Sequence, residues 1–272
     1  MASQWSFRYT VPTAPAGRQI GADDAEKILL RQLKNHARDP RDVMWDLVKF
    51  YSATGRLGAA LDYCKRLATS TKNPEKKASY YMSMGCLLEQ LDDYAAAMTC
   101  YSTAMSLEPA ETHTWYFINN NLGYCLNQFG RYAEAESYCR TAIHTDPTRY
   151  NAYKNLGVSL EGQGRIADAA RCYIMAVKTN AADSRALKHL EQLTARYPEI
   201  KMVVPDFSEY MHACRTAIRL ATEARSEIIE SRRAYGSVPR WRRWWRALFR
   251  RRGATAEQSR LAQATLPLSL RR

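Results

Sequence analysis

Two asparagines, Asn121 and Asn155, stand 34 residues apart, and each opens the tripeptide Asn-Leu-Gly. A carboxamide carries both a donor and an acceptor, so a row of such side chains can pair with the backbone of an extended peptide whatever its sequence. A second kind of chemistry is written near the C-terminus, in Arg240-Trp241-Arg242-Arg243-Trp244-Trp245-Arg246-Ala247-Leu248-Phe249-Arg250-Arg251-Arg252. Cationic and aromatic side chains so combined suit an anionic interface or unpaired bases. Covalent chemistry has no comparable candidate. Gly162-Gln-Gly164-Arg-Ile-Ala167 fits the G-x-G-x-x-A fingerprint of dinucleotide sites, but that fingerprint has meaning only between a strand and a helix. No strand-like alternation surrounds it, so it reads as a turn between helices. The chain has no phosphate-binding loop, no HExxH helix and no nucleophile elbow. Its five histidines lack ligand spacing and no CxxC pair is present. No catalytic residue, metal or cofactor is therefore expected, and the chain is not expected to be an enzyme.

The elements that must position these side chains are helical hairpins, written four times. Superposed, the copies align Leu47, Met84, Leu122 and Leu156, then Tyr51, Leu88, Leu126 and Leu160, then Ala60, Ala97, Ala135 and Ala169. Small residues recur at Gly85, Gly123 and Gly157 and at Ala104, Ala142 and Ala176, where two antiparallel helices approach closely. Gly157 is expected to face Ala169 and Ala176, with Leu156, Leu160, Ile166 and Tyr173 filling the remaining space. Gly55, Gly130 and Gly164 fall at the turn inside each hairpin, where a residue without Cβ adopts a positive φ at no steric cost; Asp92 holds that place in the second copy. The spacing of Val48, Gly85, Gly123 and Gly157 is 37, 38 and 34 residues. The surplus before the second unit, around Lys72 to Lys77, is expected to lengthen a loop. That before the third, Thr112 to Trp115, is expected to add about one turn to a helix.

This pattern resembles the tetratricopeptide repeat over roughly residues 41 to 182. The resemblance implies an all-α, superhelical array of helix hairpins with a C-terminal capping helix, whose concave face is lined by the first helix of each hairpin. Carried over position by position, the inward residues are Trp45, Lys49, Met82, Ser83, Gln90, Asn120, Asn121, Tyr124, Asn127, Asn151, Lys154 and Asn155. Arrays attached to sugar-nucleotide glycosyltransferases contact substrate peptide through asparagines at this place. No transferase domain is expected in the short, basic remainder of this chain, so only the adaptor role carries over. The subgroup that clamps chaperone C-termini is not matched: Met82 and Cys86 stand where Lys and Asn are needed, and Asn151 and Asn155 replace a basic pair. The implied function is a non-catalytic protein-protein interaction adaptor. For each polar residue a solvated helix face is the plain alternative.

Seven cysteines are an odd number for a disulfide framework, and their positions follow the repeat: Cys64 and Cys139 are equivalent, and Cys100 and Cys172 fall one place earlier. They read as small buried thiols in a reducing compartment. No run of eighteen apolar residues exists, and Met1 to Ile20 reads as an unprocessed, flexible lead-in. The hydrophobic content of 46% is ample for a packed core. The formal charge of +13 is unevenly placed: residues 231 to 272 hold twelve arginines against Glu257, or +11, leaving 13 − 11 = +2 for the rest.

The organisation expected is a flexible segment 1–20, a repeat domain 21–197 with capping helices, a long amphipathic helix 206–234, an Arg/Trp segment 240–252 and a disordered tail 253–272. In the Arg/Trp segment, Trp241, Trp244, Trp245, Leu248 and Phe249 segregate from Arg242, Arg243, Arg246 and Arg250 on a helical wheel. Segregated faces favour a peripheral site on an anionic membrane, on the cytoplasmic side. Nucleic acid is the rival partner, and a solvated or protein-docked tail the third reading.

Overall fold

The structure, a computed structural model, describes residues 22–236. The expectations for segments 1–20, 240–252 and 253–272 lie outside the described residues.

Helix α1 (Ala22–Lys34) precedes four antiparallel hairpins: α2 (Pro40–Ala53) with α3 (Leu57–Ser70), α4 (Pro74–Glu89) with α5 (Tyr94–Met105), α6 (Thr112–Gln128) with α7 (Tyr132–Thr145), and α8 (Tyr150–Gly162) with α9 (Ile166–Thr179). Then follow α10 (Arg185–Arg196), the single turn α11 (Ile200–Val203) and α12 (Phe207–Gly236). Among the described residues the fold is all-α. Helix starts are set locally. The side chains of Asp39, Asn73 and Asp93 accept hydrogen bonds from backbone N–H groups of the first turns of α2, α4 and α5, and proline opens α2 and α4.

All four hairpin turns use the left-handed backbone that the spacing predicts, with φ of 75° at Gly55, 57° at Asp92, 70° at Gly130 and 74° at Gly164. The extra residues of the third unit do lengthen α6, to 17 residues against 13 in α8. Those of the second unit do not form the expected long loop. Asn73 caps and Pro74 opens α4, so Lys76 and Lys77 are helical and only residues 71–73 connect α3 to α4.

Inside each hairpin the close crossing is matched by size. A Cβ placed on Gly157 would lie 2.4 Å from the Tyr173 ring, and one on Gly85 2.4 Å from the Tyr101 ring. The aromatic ring, rather than the alanines Ala169 and Ala176, thus occupies the space that glycine leaves. In the third hairpin the same second-helix position is Cys139, 2.5 Å from a Cβ on Gly123. The first hairpin pairs Val48 with Cys64, both fully buried in one core.

Three apolar cores run along the array. The first joins Ala25 and Leu29 of α1 to α2, α3 and Met84 and Leu87 of α4. The second joins α4, α5 and α6 around Tyr101, Tyr116 and Ile118. The third joins α8 and α9 to Leu187, Leu190 and Leu193 of α10, to Ile200 and Val204, and to Phe207, Met211 and Cys214 at the start of α12. The stripe expected on the long helix is thus buried at its beginning, in covering the last hairpin. The first compact unit ends at Ile218, and the rest of α12 belongs to a second. No helix among the described residues is long and apolar enough to cross a membrane.

Candidate partner-binding face

The first helices α4, α6 and α8 pack side by side and carry most of the residues singled out for the inner face. The structure divides the twelve in two. Met82, Ser83, Asn120, Asn121, Asn127 and Asn155 are buried, whereas Trp45, Lys49, Gln90, Tyr124, Asn151 and Lys154 stay partly exposed.

The buried asparagines differ from the expectation of a solvent-facing ladder, because their amides are used between hairpins. Asn120 Nδ2 donates to Asn121 Oδ1 at 2.8 Å, and Asn121 Nδ2 donates to the Tyr101 hydroxyl at 3.1 Å. Asn155 Nδ2 donates to Asn120 Oδ1 at 3.1 Å. Asn127 Nδ2 donates to the Asn155 carbonyl at 2.9 Å, and the Ser159 hydroxyl donates to Asn127 Oδ1 at 2.9 Å. Such a chain locks α6 against its neighbours on both sides, since breaking any link strands a buried polar group. Ser83 is likewise turned inward, donating to the Ser79 carbonyl at 2.8 Å.

Behind this chain lies a buried acid that sequence reasoning missed. Glu89, 4% exposed, accepts from the Tyr101 hydroxyl and lies 3.9 Å from Cys125 Sγ. Burial raises its carboxyl to about 7, against the lowering pull of the Tyr101 hydrogen bond and the charge of Lys154. Its signal was present in the repeat. Glu89 and Glu161 both stand four places after the crossing glycine, and each takes the hydroxyl of the tyrosine that fills that crossing; Tyr173 reaches Glu161 at 2.9 Å. Burial also raises Cys125 and Cys86, so neither thiol is an available nucleophile. Among the described residues no group of three or more histidine, cysteine or acidic side chains could hold a metal ion.

The partly exposed residues form the accessible layer. The Trp45 ring lies 5.6 Å from that of Tyr80, and Lys49 pairs with Asp46 at 2.5 Å. Gln90 donates to the Cys86 carbonyl at 3.2 Å. Tyr124 meets Tyr94 edge-on at 6.0 Å, and Lys154 Nζ of the next hairpin stands 5.8 Å from its ring centroid. Part of Lys154 reaches solvent, yet its surroundings are dense enough that desolvation, with the Arg185 charge, pulls its amine down to about 8. Beside it, Asp183 is held by Arg185 and by the Tyr150 hydroxyl at 2.7 Å. His189 stacks on Tyr173 at 5.2 Å, and burial and the neighbouring cations lower it to about 4, so it is neutral near pH 7. The side-chain oxygens of Asn151 and Asn155 are buried without a hydrogen-bond partner.

Two family profiles described as tetratricopeptide repeat match the chain, one over residues 126–193 and one over 78–111. The chain is a tetratricopeptide repeat protein. The array is similar to tetratricopeptide repeat protein 7B of Mus musculus, 30% identical over 82 residues, which are 30% of this chain and 9% of that one. An uncharacterised repeat-containing protein of Arabidopsis thaliana is 26% identical over 131 residues, 45% of this chain and 16% of the relative. The chain thus spans less than a fifth of the length of these curated relatives. Among solved structures the array resembles MamA, residues 41 to the end, from Desulfovibrio magneticus RS-1. The TM-score is 0.53 at 20% identity, covering 67% of this chain and 97% of that one. It also resembles a thermophilic tetratricopeptide repeat protein of Thermus thermophilus, with a TM-score of 0.50 at 17% identity, covering 64% and 91%. These likenesses are likenesses of fold.

Proposed function

We propose that the array is a non-catalytic protein-protein interaction adaptor that holds a peptide segment of its partner along the face of its first helices. The observation that carries this reading is the layering of that face. A bonded amide chain through Asn120, Asn121, Asn127 and Asn155 holds the first helices in register. Above it stand aromatic, amide and cationic side chains that remain partly exposed, Trp45, Gln90, Tyr124, Asn151 and Lys154, with Lys49 at one end. Rigid presentation lowers the cost of ordering a bound segment, and aromatic side chains supply area with few rotatable bonds. In this reading the contacts are made by the exposed set, while Met82, Ser83 and the buried asparagines frame it. The buried state of Glu89, Cys86 and Cys125 supports an interior network over a catalytic one. A selection of displayed linear peptides on the full chain tests the reading. Binders are expected, and Trp45→Ala with Tyr124→Ala is expected to weaken them at least tenfold while the fold is kept; an array that selects no peptide refutes the groove.

A second site is carried by the charge pattern alone. The segregation of Trp241, Trp244, Trp245, Leu248 and Phe249 from Arg242, Arg243, Arg246 and Arg250 supports tethering of the 240–252 segment to an anionic, cytoplasmic membrane surface. Flotation with anionic vesicles at low salt is the expected result. Failure to float, together with salt-steep binding of single-stranded RNA and quenched tryptophan fluorescence, would move the tail to nucleic acid.

A further inference from the structure

Lys154 is a cation whose surroundings hold no available counter-ion. Among the described residues Nζ stands 5.8 Å from the ring centroid of Tyr124, and no carboxylate comes within 4 Å of it. The acids that act on it from nearby are engaged elsewhere. Asp183 is held by the guanidinium of Arg185 and the hydroxyl of Tyr150. Glu89 is turned into the interior against Tyr101 and Cys125. One turn earlier on α8, and so on the same side of the helix, Asn151 keeps its side-chain oxygen buried and without a partner. The face therefore offers, three residues apart, one cation lacking an anion and one acceptor lacking a donor. Buried groups of this kind are rare in folded chains and call for a partner or another explanation.

We propose that the third and fourth hairpins recognise an acidic side chain, aspartate or glutamate, inside the segment of the partner protein that lies along the first-helix face. The carboxylate pairs with Lys154 Nζ, its aliphatic stem lies against the ring of Tyr124, and a backbone N–H of the same segment donates to Asn151 Oδ1. The complementarity selects a carboxylate over a phosphate. A phosphoryl group carries more charge than one ammonium neutralises, Arg185 is committed to Asp183, and the Asn151 oxygen repels a phosphate oxygen. It selects a side chain over a chain terminus as well, because a terminal carboxylate has no N–H beside it for Asn151. The inference rests on the groove reading above and adds to it the chemistry of the ligand.

The test uses linear peptides displayed with their C-termini fused to the carrier, so that no terminal carboxylate is present, and selected on the full-length protein. The selected sequences are expected to share one acidic position. In synthetic, C-terminally amidated forms of those peptides, replacing the acid by its amide is expected to raise Kd about tenfold or more. Lys154→Met is expected to raise Kd for the acidic peptide by the same factor and to leave the amide peptide unaffected, and Lys154→Arg to restore most of the affinity. That pattern is the signature of one direct pair, and the peptide substitution cannot alter the fold of the protein. Peptides that bind without a common acid, or an acid whose loss costs the same in Lys154→Met, overturn this inference and leave the groove intact. Binding that requires a free C-terminal carboxylate, or that is satisfied by single-stranded RNA in a Lys154-dependent way, overturns it too. An array that selects no peptide removes both readings together.

Discussion

The hydroxyl of Tyr101 is aimed at the carboxyl of Glu89, twelve residues before it on the facing helix, and Asn121 of the next hairpin donates to the same hydroxyl. One side chain therefore ties the inside of a hairpin to the joint with its neighbour.

The first consequence is a pH dependence of stability. Glu89 titrates near its usual 4.5 when unfolded and is raised to about 7 by burial when folded, so the folded state holds a proton that the unfolded state has lost. Stability is then full below pH 4.5, declines as pH rises through 7, and is level above that, by on the order of 3 kcal/mol from this group. His189, lowered to about 4 by burial, adds a rise of the opposite sign between pH 4 and 6.5, so the Glu89 decline is read as the difference between the parent and Glu89→Gln in denaturant unfolding across the range. Glu89→Gln is expected to lose that decline and to be more stable than the parent at pH 8. A difference between the two that does not change from pH 4.5 to 7 would contradict the assignment.

Size matching at the helix crossing gives a second. Gly157→Val is expected to destabilise the fourth hairpin by about 1–3 kcal/mol, since its first side-chain carbon already collides with the Tyr173 ring. Adding Tyr173→Cys imports the Val48 and Cys64 pairing of the first hairpin and is expected to recover part of the loss. A double-mutant cycle measured by chemical denaturation reads the coupling, which is expected to exceed about 1 kcal/mol. Strict additivity would mean that the ring is not what requires the glycine.

Asn121→Ala with Asn155→Ala is expected to lower the melting temperature, not to act on binding alone. Each amide is buried and bonded across a hairpin joint, so each loss costs on the order of 1–3 kcal/mol by stranding a partner. Thermal unfolding followed by circular dichroism checks it. An unchanged melting temperature would return these residues to the exposed layer.

A chain ending at Ala234 removes the Arg/Trp segment while keeping the twelve described helices nearly whole. It is expected to unfold like the full chain yet to lose flotation with anionic vesicles, whereas replacing Trp241, Trp244 and Trp245 by alanine is expected to keep a weak, salt-sensitive attraction. Equal flotation of the truncated and full chains would place the membrane contact elsewhere.

What the sequence made legible was set by short-range rules. The period located four hairpins, and the need for a positive φ located their turns, including Asp92, which a search for glycine alone would pass over. The α3 to α4 connection was misjudged although its signal was local: Asn73 followed by Pro74 is a helix start, and it shortens the loop to three residues. The inner face was legible only as a set of positions. Whether a residue there is buried depends on how tightly successive first helices close over it, and that is decided by partners far away in the chain. Asn121 is covered together with Tyr101, and Asn155 by Asn120, 35 residues away. Glu89 is not singled out by the sequence, because its partners Tyr101 and Cys125 lie on two other helices, α5 and α6.

The alternation Cys64, Tyr101, Cys139, Tyr173 at one repeat position also bears on how such a gene can grow. Repeat arrays lengthen most simply by duplicating a unit in tandem, but a second α4/α5 hairpin inserted after the first would bring Ser83, not Asn121, to the Tyr101 hydroxyl. Ser83 is short and already bonded to Ser79 within its own helix. The new joint would bury a tyrosine hydroxyl and a carboxyl with one donor missing. Tandem duplication of this unit alone is therefore expected to cost on the order of 1–3 kcal/mol at the new joint, and Ser83→Asn in the copy is the change that would restore the donor.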